Sequence, residues 1–173
     1  GFIGSNITKK LIFYGHDVSV IDNLDTGKLE NLETVKDKIS FYNIDIRDFD
    51  EIDKIITNTD GIFHQAALTV VQDSYTKTDE YIDVNVNGTR NIFQSAKKNS
   101  IKVVFASSSS IYGNVNKIPI IENSQKNPIN PYGETKVEKE SLAEKFWEYG
   151  VEIIGLRYFN VYGKKQNKAY AGV

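Results

Sequence analysis

Five short runs of β-branched and aromatic residues alternate along this chain with longer stretches that carry apolar residues at helical spacing. The strand-like runs are 17–22, 39–44, 61–65, 101–106 and 151–157, and the helical stretches fall at about 4–14, 48–57, 78–98 and 132–149. Such alternation predicts an α/β fold: a doubly wound parallel sheet with crossover helices on both faces. Ligands of that architecture gather at the carboxyl ends of the strands. The residues at those ends are Gly1 to Gly4, Asp22, Asp45-Ile46, His64 to Ala67, Ser107 to Ser110 and Asn160, all on one predicted edge. No repeat, low-complexity tract or linker divides the chain, so residues 1–173 read as one domain.

Gly1-Phe2-Ile3-Gly4-Ser5 leads into the helical pattern Ile7, Leu11, Ile12 and Tyr14, which Gly15-His16 closes. Val18 to Asp22 follows as a strand ending in an acid. Glycines where a chain turns into a helix let the backbone approach a pyrophosphate, and the helix N-terminus stabilises its charge. Asp22 stands about 20 residues on, where an acid accepts hydrogen bonds from an adenosine ribose and favours NAD over NADP. The plainer alternative makes Gly1 and Gly4 turn and packing glycines and Asp22 a solvated acid. Methionine is absent from all 173 residues and residue 1 already lies in the glycine turn. The expectation is therefore a sheet lacking its first, central strand, so that the isolated 173-residue chain folds poorly and holds NAD weakly.

Phe105 to Gly113 places Ser107, Ser108, Ser109 and Ser110 at the end of an apolar strand, and Pro131-Tyr132-Gly133-Glu134-Thr135-Lys136 sets a phenol and an ammonium four residues apart on one helix face. A tyrosine titrates near pH 10, so it acts as a base at neutral pH only beside a positive charge that favours phenolate. Lys136 can supply that charge, and a serine hydroxyl within reach can orient a substrate alcohol. Asn127-Pro128-Ile129-Asn130-Pro131 reads as a rigid loop delivering Tyr132 to its helix.

A net charge of -2 without a basic block leaves nucleic-acid binding unsupported. The chain has no cysteine, which excludes disulfides and fits a reducing, cytoplasmic compartment. His16 and His64 are too isolated to predict a metal site, and no apolar run is long enough to span a bilayer.

In order, GFIGS, VIDNLDTG, DIRD, HQAA, NVNGT, SSSSIYG, PYGETK and RYFNVYG resemble the extended short-chain dehydrogenase/reductase superfamily, in its NAD-dependent nucleotide-sugar epimerase/dehydratase branch. The resemblance implies a Rossmann-type domain, here without its first strand and without a C-terminal substrate lobe. It implies that Gly1, Phe2, Ile3 and Gly4 form part of the NAD turn, that Asp22 and Asn23 hold the adenosine ribose, and that Asp45 and Ile46 hold the adenine. Ala66, Ala67 and Tyr158 would also line the cofactor. Tyr132 would be the base, Lys136 would bind the nicotinamide ribose and lower the phenol's pKa, and Ser108 would complete the catalytic set. Ser108, Ser109, Ser110, Tyr132 and Asn160 would face a UDP-sugar.

The dehydratases of that branch carry an Asp-Glu pair after the serine motif, because eliminating water requires an extra acid and base. Here the stretch is Ser109-Ser110-Ile111, which favours a 4-epimerase working through a transient 4-keto sugar. Gly163-Lys164-Lys165-Gln166 followed by Ala169 to Val173 resembles the subgroup acting on UDP-N-acetylhexosamines. A homodimer through the later helices is implied by the resemblance alone. Other sugar dehydratases, decarboxylases or reductases, and a non-catalytic NAD sensor, are the competing readings.

Several positions carry expectations of their own. Asp45 to Asp48 reads equally as nucleotide pocket and as strand end with Asp48 capping a helix. Gly88 inside a helix predicts a close helix contact, and Asn85 is expected to reach toward the serine loop. Tyr112 and Tyr162 read as packing residues, Phe146 and Trp147 as core or interface.

Overall fold

The computed structural model describes residues 1–115, 117–164 and 166. α1 (Phe2–Phe13) begins directly after Gly1 and ends where Gly15 takes φ +82, a left-handed conformation that glycine adopts without a Cβ clash. β1 (Val18–Ile21), β2 (Ile39–Tyr42), α2 (Phe49–Ile56) and β3 (Gly61–His64) follow. Asp48 caps α2 by accepting a hydrogen bond from the Glu51 amide, so this half of the Asp45–Asp48 reading holds. α3 (Val71–Thr76) precedes α4 (Thr78–Ile82), which runs through a π-helical turn at Asp83–Asn87 into α5 (Gly88–Asn99). β4 (Lys102–Ser108), α6 (Pro131–Glu148) and β5 (Ile153–Tyr158) complete the order.

All strand pairing is parallel, which makes the fold α/β and Rossmann-like. The sheet is divided, in keeping with the expectation of a sheet without its central strand. β1 pairs with β2 in one sheet, while β3, β4 and β5 form a second with β4 in the middle. The division falls between β1 and β3, each of which has a strand on one side only among the described residues. A 3-10 segment at Leu29–Lys38 and helix α3 carry no clean apolar periodicity and lie outside the predicted elements.

The core forms where α2, α5 and α6 cover one face of the three-stranded sheet. Ile52, Phe93, Val103, Phe105 and Phe146 meet there, with Phe93 edge-on to both Phe105 and Phe146. Covering helices on both faces were expected. On the opposite face of this sheet Phe63, Ile154 and Leu156 are exposed among the described residues, and α1 packs beside β1 instead. Phe146 belongs to the core and Tyr112 is buried, as expected, whereas Trp147 and Tyr162 are exposed, so Tyr162 is not a packing residue.

Candidate active site

A cavity of about 1980 Å³ opens between the two sheets and reaches the carboxyl ends of the strands. It is lined along the length of β1 and β3 as well as at their carboxyl ends, so it includes the gap between the two sheets. Its wall brings together Gly1, Phe2, Ile3 and Gly4 from the start of α1, Asp22 and Asn23 after β1, and Asp45 and Ile46 after β2. Ala66 and Ala67 after β3, Ser108, Ser109 and Ser110 at the end of β4, Tyr132 on α6, and Tyr158 and Asn160 at the end of β5 share it. Every residue that the resemblance assigns to cofactor, sugar or catalysis lines this cavity except Lys136, which is buried behind it.

At the end formed by the two-stranded sheet, Asp22 accepts the Leu24 amide at 2.8 Å. Asn23 donates to Asp45 at 2.9 Å, linking the two strand ends. Asp45 also accepts from the Arg47 amide and from its guanidinium, which in turn pairs with Asp83. Arg47 therefore holds the Asp45 carboxyl well below its ordinary range, with Asn23 adding to the effect. The methyl end of Ile46 fills the space beside Gly88, where an added Cβ would come within 2.6 Å of it. The close contact predicted for Gly88 is thus to the residue after Asp45, not to another helix.

Asn130 accepts the Gly133 amide at 2.7 Å as the N-cap of α6, and Pro131 occupies the first turn, where its missing N–H costs nothing. These two residues start the helix so that Tyr132 faces the cavity. Gly133 then lets α6 approach the serine loop: a Cβ there would lie 2.8 Å from the Ser110 carbonyl oxygen and 3.0 Å from Pro128 Cβ. Ser108 accepts from the Ser110 amide and donates to the Ser110 hydroxyl, both at 3.1 Å, so the hydroxyls are held in a fixed turn.

Lys136 Nζ lies 5.3 Å from the centre of the Tyr132 ring and donates to the Ala106 carbonyl at 3.4 Å. Burial pulls its pKa down to about 8, so it remains largely cationic at pH 7. Asn85 does not reach the serine loop. Its amide instead clasps the backbone of Leu68 through both N–H and C=O and donates to Thr135 on α6, because the π turn points it between those elements.

Beneath the site, Glu140 of α6 accepts Ser107 at 2.5 Å, Arg157 of β5 through two bonds of 2.9 Å, and Lys126 at 2.9 Å. Burial alone would raise this carboxyl, but those bonds outweigh it and hold it at about 2. His64 is buried and bonds Thr89 at 2.8 Å, while the Thr89 hydroxyl donates to the Asn85 carbonyl. Burial, helped by Lys139 and Lys136, pushes the imidazole well below 6.5.

Both shifts make acid destabilising. The unfolded chain takes a proton on His64 below pH 6.5 that the folded chain refuses, and one on Glu140 below 4.5 that the folded chain refuses down to about 2. Their stabilisation is complete above those unfolded values and lost as pH falls. The urea midpoint of the intact protein is expected to drop steadily from pH 6.5 to 4, and His64→Gln to flatten the part above 5. A wild-type midpoint constant across that range would contradict the assignment.

Gln65, a polar side chain directly after a buried strand end, stands on the predicted edge within His64 to Ala67 but carries no expected role of its own. The signal available was that HQAA carries an amide among apolar neighbours.

The chain matches the NAD dependent epimerase/dehydratase family over residues 1–173. It belongs to that family. Over 178 residues it is 43% identical to a putative UDP-glucose 4-epimerase of Methanocaldococcus jannaschii, covering 100% of this chain and 57% of that protein. A UDP-N-acetyl-alpha-D-glucosaminuronate decarboxylase of Bacillus cytotoxicus is 34% identical over 100% of this chain and 56% of its own length. Among solved structures, the UDP-N-acetylglucosamine 4-epimerase of Methanobrevibacter ruminantium in complex with UDP-N-acetylmuramic acid superposes with a TM-score of 0.93 at 37% identity, over 97% of this chain and 55% of that one. The chain spans about half the length of the relatives it matches. Among the described residues no helix is long and apolar enough to cross a membrane.

Proposed function

We propose that this protein is an NAD-dependent nucleotide-sugar 4-epimerase acting on a UDP-hexose, UDP-N-acetylglucosamine or UDP-glucose, with residues 1–173 as its NAD-binding Rossmann domain. The observation that carries this reading is the close approach of α6 to the serine loop at Gly133 and Ser110, which joins Tyr132 and Ser108 on one wall with the nucleotide end.

The cavity suits the cofactor. Asp22, Asn23 and Asp45 present acceptors and an amide at one end, as a ribose and adenine require, and the negative charge there disfavours a 2′-phosphate. Bound there, NAD would supply reversible hydride transfer at C4 of the sugar.

Tyr132, as phenolate, accepts the proton of the sugar's 4-hydroxyl and gives it back after the keto sugar turns over. Ser108 orients that hydroxyl, with Ser109, Ser110 and Asn160 shaping the sugar pocket. Lys136 holds positive charge beside the phenol and favours its anionic form. Without the Asp-Glu pair of the dehydratases the serine turn has no second acid and base, which favours epimerisation over elimination. Preference for an N-acetylated sugar rests on the segment from Gly163, of which Lys165 and residues 167–173 lie outside the described residues. The exposed Trp147 and Tyr149 near the end of α6 support pairing of two copies through that helix.

A test is to incubate the intact protein with UDP-N-acetylglucosamine, UDP-glucose and UDP-glucuronate and separate the products. Accumulation of the C4 epimer supports the proposal, and release of carbon dioxide or water would favour the decarboxylase or dehydratase reading. Gly133→Ala tests its geometric basis. The new methyl drives the Ser110 carbonyl away, and turnover is expected to fall by about tenfold or more, as for small misplacements of reacting groups. NAD retention should stay unchanged, and wild-type turnover would contradict the placement.

A further inference from the structure

Gln65 follows β3 directly, between His64, whose ring enters the core, and the wall residue Ala66. Gln65 lines the cavity too, yet its carboxamide nitrogen and oxygen are both buried and neither has a hydrogen-bond partner among the described residues. An amide offers two donors and an acceptor, and burying them unpaired is unfavourable, so such a group is normally matched by protein, water or ligand.

The neighbours do not match it. On one side stands Gly4, where even an added Cβ would remain 3.9 Å from Gln65 Cβ, so the wall there is bare backbone and open space. On the other side stands Tyr158, whose phenol is raised by burial and eased back by the nearby amide without a bond of proper geometry forming. Gly4 belongs to the helix N-terminus suited to phosphate, and Tyr158 pairs in register with Ser108 at the reacting end. The part of a dinucleotide that spans these two places is its diphosphate and second ribose. Oxygens that accept and hydroxyls that donate both occur there, which is the chemistry an unmatched amide requires.

We propose that the Gln65 carboxamide is a cofactor contact, donating to the diphosphate–ribose stretch of the dinucleotide and accepting from its ribose hydroxyl. This rests on the NAD reading above and adds a residue to it. It also sets Gln65 apart from a structural glutamine, because its partner arrives with the ligand.

The experiment is calorimetric titration of the intact protein and of Gln65→Leu with NAD, ADP-ribose and AMP, together with the melting midpoint of each ligand-free form. Losing the amide is expected to weaken NAD and ADP-ribose by about tenfold or more while AMP stays within about twofold. The ligand-free midpoint should be equal or higher, since an unpaired buried amide has been replaced by an apolar group. A structural role would lower that midpoint and leave the three ligands in their original ratios, which would overturn the inference. Gln65→Met, unbranched and of similar length, carries the same test if the leucine variant fails to fold. Unchanged NAD affinity in either variant overturns this inference alone, whereas a wild-type protein that binds no NAD overturns the reading beneath it as well.

Discussion

Replacing Tyr132 with phenylalanine is expected to lower turnover of the UDP-hexose by about 10²-fold or more, the usual scale for an acid/base group, with bound NAD unchanged. The ring stays, so the wall of the cavity and the packing over Lys136 persist, and only the oxygen that accepts the sugar proton is lost. A buried ammonium 5.3 Å from the ring centre strengthens the case that this oxygen works as an anion, because the charge has little water to screen it. Steady-state rates alongside quantified bound NAD provide the check. Near-normal turnover would remove Tyr132 as the base.

The second large effect is on stability. Arg157→Ala strips the Glu140 carboxylate of its bidentate partner and leaves Ser107 and Lys126 to hold it in a mostly buried place. Removing one side of a buried ion pair costs about 3–5 kcal/mol, and the same guanidinium also bonds the Tyr112 hydroxyl and the Glu122 carbonyl. A loss of about 3 kcal/mol in urea unfolding at pH 7 is therefore expected. The loss should shrink in acid, where the orphaned carboxylate takes a proton. A loss below about 1 kcal/mol, the scale of an exposed pair, would show that the network is screened by solvent.

The legible parts of the fold were those where a periodicity and a chemical reason coincide. β-branched runs were followed by Asp22, Asp45, Gln65 to Ala67, Ser108 to Ser110 and Asn160, and all of these came to the same wall. Asp48 declared a helix start because a capping side chain must sit one residue before its helix. What stayed hidden depends on partners distant in the chain. Asn85 turned to Leu68 and Thr135, and Gly88 met Ile46, because a π turn and a strand end set their surroundings. Lys136 was assigned to the cofactor side, and its amine instead sits behind the wall on the Ala106 carbonyl, a choice of rotamer that spacing alone does not decide. Leu29–Lys38 is polar on most sides and gave no helical signal.

The most direct test of the account is to supply UDP-N-acetylglucosamine or UDP-glucose deuterated at C4 to the intact protein and follow the label. The account predicts the C4 epimer with the deuterium retained at C4 and no net change of NAD to NADH. An epimer whose deuterium has washed into solvent would contradict it, as would a product altered at a carbon other than C4.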